Sequence, residues 1–237
     1  MKKSTVLSLI VLFLFLPATL YWGTKLTGRA YYFTGTLIII EALLPFFFLF
    51  EGRKPQAREL CLLAVLCALA VASRGLLAWL PHFKMIVGII MISGIAFGSI
   101  PGFLVGAVSA FASNFLFGQG PWTPWQMMAY GISGFLAGIL FRKNLIPKTP
   151  FSMGVTGFFT VFLIIGPLLD CSTLFTVTTV FSLKTVLAVF GAGVPANLLH
   201  ALSTALTLSL LGKPMLSKLE RIARKYGMLG IDNPPAP

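Results

Sequence analysis

The sequence predicts an all-α integral membrane protein that crosses the bilayer several times. Of its 237 residues, 57% are hydrophobic and only 10% are charged, and the mean hydropathy is +0.92. A soluble domain has roughly 45–50% apolar and about 25% charged residues. The apolar residues also occur in runs near the ~20 residues that a helix needs to cross the hydrocarbon. Together, these observations argue against a soluble domain.

The net charge of +12 comes from basic residues in short segments between the apolar runs. A nucleic-acid-binding domain would instead collect its basic residues in a stripe on a polar surface. The positive charge is therefore interpreted as a topology signal, and no nucleic-acid partner is expected.

Eight membrane-spanning helices are predicted from the lengths of the apolar segments. They lie at about residues 4–22, 33–50, 59–80, 85–100, 102–117, 126–141, 153–170 and 185–211. The first, with Lys2 and Lys3 ahead of an apolar run, also has features of a signal peptide. It is long for one, and no clean small-x-small cleavage site follows, so we expect a retained helix.

The uncharged stretch Met85–Phe117 is divided into two helices at Ser99–Gly102, because Pro-Gly is a strong turn signal. With eight spans, thirteen basic residues face the cytoplasm and four face outside, which is the expected bias. The cytoplasmic set is Lys2, Lys3, Arg53, Lys54, Arg58, Arg142, Lys143, Lys148, Lys213, Lys218, Arg221, Arg224 and Lys225, and the external set is Lys25, Arg29, Lys84 and Lys184. Both termini are therefore predicted to be cytoplasmic, in a multi-pass protein of the cell membrane.

The segment Gly118–Trp125, GQGPWTPW, is predicted to be a rigid aromatic loop at the outer face. Its two prolines cannot continue a helix, and Trp122 and Trp125 each offer a large apolar surface with one hydrogen-bond donor. Polar side chains surround them: Asn114, Gln119, Thr123 and Gln126. This combination suits a planar or ring-rich solute, whereas the tryptophans alone also fit an interfacial belt.

Two charges fall inside predicted helices. Arg74 lies in the outer half of the third helix and Glu41 in the middle of the second, at similar depths of roughly 9 and 12 Å at ~1.5 Å per residue. One interpretation is a buried pair, because an unpaired charge there costs at least several kcal/mol. The other is that Arg74 faces a cavity and binds a carboxylate, phosphate or amide oxygen of a solute.

Further polar residues flank the predicted outer loops, where they either contact a solute or are simply solvated. They are Trp79, His82, Lys84, Asp170 and Lys184. Asn197 and His200 follow a predicted break at Gly191–Pro195 in a kinked helix. Such intramembrane groups bond to neighbouring helices more often than to a ligand.

Small residues recur one helical turn apart at Ala64, Ala68 and Ala72. This pattern makes a smooth stripe on which another helix packs closely, either within the chain or from a partner. The three cysteines, Cys61, Cys67 and Cys171, lack zinc or redox spacing and are interpreted as small buried apolar residues. No metal site is predicted.

The segment Gly94–Gly138, GIAFGSIPGFLVGAVSAFASNFLFGQGPWTPWQMMAYGISGFLAG, resembles the central part of energy-coupling-factor (ECF) S components, particularly those assigned to cobalamin or its precursors. The similarity covers roughly residues 58–212, and the alanine stripe fits the small-residue pattern of the family's first core helix. It implies a six-helix core at 58–212, two extra N-terminal transmembrane helices of unknown role in 1–57, and a basic cytoplasmic tail at 213–237.

This resemblance implies that the chain binds a vitamin near its outer face and works with a transmembrane coupling subunit and two ATPases. The chain has no G-x-x-x-x-G-K-[ST] phosphate loop, so ATP would be used by the partner subunits and no cofactor is expected in this chain. The alanine stripe would dock the coupling subunit. The expected substrate-binding set is Arg74, Trp79, His82, Asn114, Gln119, Trp122, Trp125, Gln126 and Asp170.

Two other classes of function compete with this reading. A self-sufficient permease or channel usually shows a more extensive polar pathway or repeat symmetry between halves, and neither is found in the sequence. An integral membrane enzyme needs a reactive constellation. With two histidines, six acidic residues and no HExxH, paired-carboxylate or nucleophile–base pattern, no catalytic residues are expected.

Overall fold

The computed structural model describes residues 3–23, 29–52, 55–177 and 182–227, and it confirms the all-helical fold. Its helices are α1 (Lys3–Ile10), α2 (Leu16–Gly23), α3 (Arg29–Glu51), α4 (Ala57–Leu76), α5 (Ile86–Phe97), α6 (Ser99–Phe117), α7 (Thr123–Arg142), α8 (Pro150–Thr160), α9 (Gly166–Val177) and α10 (Leu183–Lys225). Four basic residues of the topology count, Lys2, Lys25, Arg53 and Lys54, lie outside the described residues, as do residues 228–237.

Two π-helical turns join helices that the sequence predicts as single spans. Val11–Phe15 connects α1 to α2, and Val161–Ile165 connects α8 to α9. Each turn comes just before a proline, Pro17 or Pro167, whose ring removes a backbone hydrogen bond and crowds the preceding turn. A wider turn accommodates that ring without ending the helix.

Five stretches of the described residues are long and apolar enough to cross a membrane. They are Phe33–Glu51, Ala57–Leu76, Ser99–Phe117, Pro150–Thr176 and Leu183–Tyr226. The helical segments occupy all eight predicted positions, but Lys3–Thr19 and Ile86–Phe97 are shorter apolar helices. The count of eight spans therefore stays a prediction.

α5 is the central helix of the fold, and each of its 12 residues is buried. It packs against α4, α6, α7 and α10. At ~1.5 Å per residue it is about 18 Å long, which is shorter than the ~30 Å hydrocarbon layer. The predicted span at 85–100 therefore stays a prediction.

The hairpin between α5 and α6 turns at Gly98, one residue before the predicted break at Ser99–Gly102. Gly98 has φ +99°, a left-handed conformation that favours glycine, and Pro101 is accommodated in the first turn of α6. At the crossing of α6 and α7, a Cβ on Gly134 would collide with the backbone of Gly102. These glycines allow the closest helix contact in this part of the fold.

α10 is a single helix of 43 residues that includes Pro195 and Pro214. The predicted break at Gly191–Pro195 was wrong, because losing one backbone hydrogen bond does not end a helix that its neighbours hold in place. The helix continues to Lys225, past the predicted end of the span near residue 211. At about 65 Å, the helix exceeds the hydrocarbon thickness, so its basic last turns extend beyond it.

The N-terminal helices α1 to α3 pack on the rest of the chain through α3, which contacts α6, α7 and α9. Phe46 stacks on Phe103 of α6 with ring centroids 3.7 Å apart and meets Phe135 of α7 edge-on at 5.4 Å. Leu43, Phe103, Ala107 and Met128 form the buried cluster at this contact. The extra helices are therefore attached by an apolar aromatic interface.

Candidate functional site

A row of polar side chains on α6 holds the buried Arg74. Ser113 and Asn114 are 0% and 1% exposed near the C-terminal end of α6. Arg74 Nη1 donates to Ser113 Oγ at 2.5 Å and to Asn114 Oδ1 at 3.0 Å, and its guanidinium carbon lies 4.6 Å from the centre of the Phe117 ring. Both acceptors are neutral, and no carboxylate of the described residues lies within salt-bridge distance of Arg74.

The polar network continues from α6 to the start of α7. Asn114 Nδ2 donates to Thr123 Oγ1 at 3.0 Å and to Gln126 Oε1 at 2.8 Å. Thr123 Oγ1 donates to Gln119 Oε1 at 2.8 Å, and Gln119 Nε2 donates to the carbonyl of Phe111 at 3.0 Å. These bonds link Arg74 to the connection between α6 and α7.

The connection itself is short. Gly118, with φ +102°, caps α6 by donating its N–H to Asn114 O, and α7 begins at Thr123 with Pro124 in its first turn. The predicted loop Gly118–Trp125 is therefore too long by three residues. Proline is tolerated in a first helical turn, where its missing N–H has no partner to lose.

Basic and aromatic side chains also lie where α7 and α10 meet the connection between α4 and α5. The backbone N–H of Lys84 donates to Ser203 Oγ of α10, and Ser203 Oγ donates to the Lys84 carbonyl, which joins the connection between α4 and α5 to α10. Burial and then the charge of Arg74 lower the pKa of Lys84 below its usual value. His200, one turn before Ser203, meets Tyr130 of α7 edge-on at 6.3 Å.

Four of the sequence-predicted binding residues are brought together: Arg74, Asn114, Gln119 and Gln126. Sequence reasoning did not assign Ser113, Tyr130, Lys84 or His200 to the site. For Tyr130 a signal exists, because Thr123, Gln126 and Tyr130 recur at helical spacing on one face of α7. For Lys84 and His200 no local signal exists, since their proximity depends on how α10 packs against the connection between α4 and α5.

Trp125 faces away from the network. Its indole is 5% exposed, stacks on Phe175 of α9 at 5.4 Å, and donates to Thr36 Oγ1 of α3 at 3.4 Å. Gly35 also lies against it, since a Cβ there would be 3.3 Å from the indole. Trp122 is 39% exposed beside Gly120, within the connection. The structure therefore separates the two tryptophans that the sequence groups together.

The remaining predicted residues lie apart from the Arg74 network. Trp79 is 75% exposed, and His82 is exposed with φ +59° in the same connection between α4 and α5. Asp170 of α9 accepts a hydrogen bond from Asn197 Nδ2 at 2.9 Å, in the space left by Gly193. Asn197 therefore bonds to a neighbouring helix, as its position in the sequence predicts.

The alternative of an Arg74–Glu41 pair was wrong. Glu41 Oε1 accepts from Thr19 Oγ1 of α2 at 2.6 Å, and Glu41 Oε2 is buried without a partner among the described residues. Arg74 instead turns to Ser113 and Asn114. Similar depth in the membrane was not enough to bring the two charges together, because α3 packs against α6, α7 and α9.

One face of α4 is exposed, and it combines small residues with larger apolar side chains such as Val65 and Leu69. Ala64, Ala68 and Ala72 are all exposed, whereas Leu66, Ala70 and Arg74 on the opposite face are buried. Cys61 is exposed on the same side, so the prediction that it is buried was wrong. Because a smooth exposed surface of this kind lets a second helix approach closely, α4 is suited to docking.

Within the described residues, no group of three or more His, Cys, Asp or Glu side chains is arranged to hold a metal ion. The arrangement near Arg74 instead offers donors and acceptors for an organic solute. Only Nη1 of its guanidinium is engaged by the described residues, so Nε and Nη2 remain available to a ligand. A planar guanidinium suits a carboxylate, a phosphate or a pair of ring acceptors.

Comparison with known families gives one match. A family model described as ECF-type riboflavin transporter, S component, matches residues 54–217. The match includes α4 to α9 and most of α10, and it excludes the N-terminal helices α1 to α3. Searches of curated proteins and of solved structures find no match to the chain.

Proposed function

Because the chain belongs to the family of ECF-type riboflavin transporter S components, we propose that it captures a vitamin at its outer face for ATP-driven import. Membership makes the chain a multi-pass membrane protein and a substrate-binding transporter component, not an enzyme. Its family works with an ECF module of ATPases and a transmembrane coupling subunit. The observation that carries the proposal is the buried Arg74 network inside the matched region.

We propose riboflavin as the first candidate for the vitamin. The matched family is named for it, and a flat ring system edged with carbonyl and nitrogen acceptors suits the free donors of Arg74 and the amide N–H groups of Gln126. Cobalamin or a precursor, which the resemblance in the sequence favours, is the alternative. Both vitamins combine a ring system with many hydrogen-bonding groups, so a direct comparison of binding is required.

We further propose that the exposed stripe Ala64, Ala68 and Ala72 docks the coupling subunit. The stripe lies on the face of α4 opposite Arg74, so a single helix contacts the solute network on one side and a partner on the other. Such an arrangement allows a change in solute occupancy to alter the docking surface through one rigid element.

Binding to the purified chain in detergent tests the proposed vitamin. We expect riboflavin to saturate one site, measured by quenching of flavin fluorescence, and cobalamin to show no saturation by calorimetry. Gln126→Ala removes an acceptor of Asn114 and should weaken binding by roughly tenfold, the scale of one hydrogen bond. The matched control is Gln56→Ala. Gln56 is exposed and lies just before the start of α4, at the other end of this helix from Arg74.

The outcomes are distinct. Saturable binding of cobalamin but not riboflavin would keep the vitamin-capturing role and change the vitamin. Absence of binding for both would contradict the proposed function. Equal loss of affinity in Gln126→Ala and Gln56→Ala would remove the Arg74 network from the site.

A further inference from the structure

A cleft of about 450 Å³ lies between the last turns of α10 and the connection that joins α7 to α8. Lys148 lines it from that connection, and Lys213, Ser217 and Glu220 line it from α10. Lys148 Nζ donates to Glu220 Oε1 at 3.4 Å, and this one long ion pair leaves other N–H groups of the ammonium available. With two cations and one carboxylate, the lining of the cleft has a positive net charge.

Further basic side chains are exposed around the cleft. Arg221 and Arg224 follow on the next turns of α10, and Lys143 lies at the end of α7. The Ser217 hydroxyl donates to the carbonyl of Pro214, so the two lysines are the cleft's main free donors. A concave surface of this charge favours an anionic ligand.

An exposed apolar stripe on α10 leads into the cleft. Leu202, Leu206 and Leu210 are exposed, and Lys213 and Ser217 continue the same helical face at spacings of three and four residues. From Leu202 to Lys213 the helix rises roughly 16 Å at ~1.5 Å per residue. This rise is close to half of the ~30 Å hydrocarbon layer, so the stripe is about as long as one leaflet's hydrocarbon is thick.

The order of apolar stripe and cationic cleft matches the order of acyl chains and headgroup in a phospholipid. Exposed leucines are ordinary on a helix that faces lipid, and the cleft at the end of the stripe is what adds headgroup recognition. The positive-inside bias of the sequence predicts that this end of α10 is cytoplasmic. The cytoplasmic leaflet is the one whose anionic lipids attract basic segments next to the membrane.

We propose that this cleft binds the headgroup of an anionic glycerophospholipid of the cytoplasmic leaflet, with an acyl chain along the leucine stripe. Lys148 and Lys213 donate to the phosphate, and Glu220 positions the Lys148 ammonium through the ion pair. A lipid held in this way would fix the depth of α10 in the bilayer. The inference does not depend on the identity of the vitamin, because the cleft contains no residue of the Arg74 network.

Titration of phosphatidylglycerol into the detergent-solubilised full chain tests the proposal, with native mass spectrometry to measure the dissociation constant of the first bound lipid. We expect tighter binding of phosphatidylglycerol than of phosphatidylcholine with the same acyl chains. Lys213→Gln should weaken phosphatidylglycerol binding about fivefold, the scale of one basic residue near an anionic headgroup. Lys143→Gln is the matched control, because Lys143 is exposed and does not line the cleft.

Lys148→Gln is a second variant. It removes one phosphate donor and leaves the charge of Glu220 without its cation, so it should weaken phosphatidylglycerol binding at least as much as Lys213→Gln does. Glycerol 1-phosphate carries the phosphate without acyl chains. It should not displace the lipid at concentrations at which phosphatidylglycerol saturates the chain, because it cannot use the leucine stripe.

Several outcomes would overturn the lipid site. Equal affinity of the wild-type chain for both lipids would do so, and so would an equal loss in Lys143→Gln and Lys213→Gln, which would indicate general attraction to a basic surface. Displacement by glycerol 1-phosphate would assign the cleft to a soluble anion. If Lys213→Gln binds phosphatidylglycerol like the wild type but no longer co-purifies with the coupling subunit and ATPases, the cleft is a subunit contact.

Discussion

Arg74 connects the fold to solute recognition, because its guanidinium is held on one side and free on the other. Arg74→Gln should weaken vitamin binding by roughly tenfold to a hundredfold, the cost of losing a charged donor. Arg74→Lys should also bind poorly, because an ammonium lacks the planar fork that reaches two acceptors at once. Titration of each purified variant measures this, and unchanged dissociation constants in both would remove Arg74 from the site.

Glu41 provides an internal control for this prediction. It bonds to Thr19 and makes no contact with Arg74, so Glu41→Gln should leave affinity unchanged. The double variant Glu41→Gln with Arg74→Gln should show the same loss as Arg74→Gln alone, because independent sites are additive. Recovery of binding in the double variant would instead show that the two charges are coupled.

Trp125 is predicted to act on stability and not on affinity. Its indole is buried between Thr36 and Phe175, so Trp125→Ala should lower the free energy of unfolding by about 3–5 kcal/mol, as for other buried aromatic truncations. We expect a lower Tm in detergent. The dissociation constant of the vitamin, measured on the folded protein, should be unchanged. A normal Tm with weaker binding would return Trp125 to the solute site.

Trp122 is the matched comparison for Trp125. It is 39% exposed, so Trp122→Ala should change the Tm much less than Trp125→Ala does. An equal or larger loss of stability in Trp122→Ala would contradict the assignment of Trp125 as the buried anchor.

At the scale of residues, the polar side chains of the site could be predicted from the sequence, but the helices that they face could not. Arg74, Asn114 and Gln126 stood out because polar side chains in apolar helices are costly unless paired. The separation of Trp125 from Trp122 was not predictable, because it depends on α3, whose packing on α7 and α9 is a long-range contact. The same reason applies to Lys84 and His200, because their proximity depends on the tertiary hydrogen bonds between the Lys84 backbone and Ser203.

At the scale of elements, α4 carries the proposed docking surface. Ala68→Leu enlarges a residue on the exposed stripe, so it should abolish uptake by the assembled transporter while leaving vitamin binding to the isolated chain intact. The measurements are uptake in membranes that contain the ECF module and titration of the purified variant. Loss of binding together with uptake would place the stripe in the packing of this chain.

Ala70 is a matched control for Ala68, because it lies on the same helix and is 0% exposed. Ala70→Leu overpacks the core and should lower the stability of the purified chain by about 1–3 kcal/mol, unlike Ala68→Leu. Similar Tm changes in the two variants would contradict the assigned orientation of α4.

The N-terminal helices should depend on Phe46 for their attachment. Phe46→Ala removes the stack on Phe103 and the edge contact with Phe135, so it should lower the Tm of the purified chain. Phe33→Ala is the control, since Phe33 is 71% exposed on the same helix and should have little effect. If both variants melt like the wild type, α3 is not anchored by this aromatic interface.

Element positions were largely predictable, since apolar length and turn residues define them directly. The exceptions have physical causes. α5 ends at Phe97 because Gly98 turns the chain directly into α6, and α10 continues through Pro195 because neighbouring helices hold it. Sequence rules for prolines and apolar runs do not include the surrounding helices. They therefore predict the wrong helix length in both cases.

At the scale of the whole molecule, we propose that this chain captures the vitamin and that its partner subunits supply the energy for import. The matched region, residues 54–217, holds both the Arg74 network and the exposed stripe of α4, while the N-terminal helices lie outside it. A self-sufficient permease would combine both tasks in one chain. The two alternatives differ in what the chain does alone in a membrane.

The most direct measurement is vitamin uptake into proteoliposomes that contain the purified chain, with or without the coupling subunit and two ATPases and with ATP on the ATPase side. We expect the chain alone to bind the vitamin without accumulating it, and the complete assembly to accumulate it only when ATP is present. Accumulation by the chain alone, at a rate that the module and ATP do not change, would contradict the account.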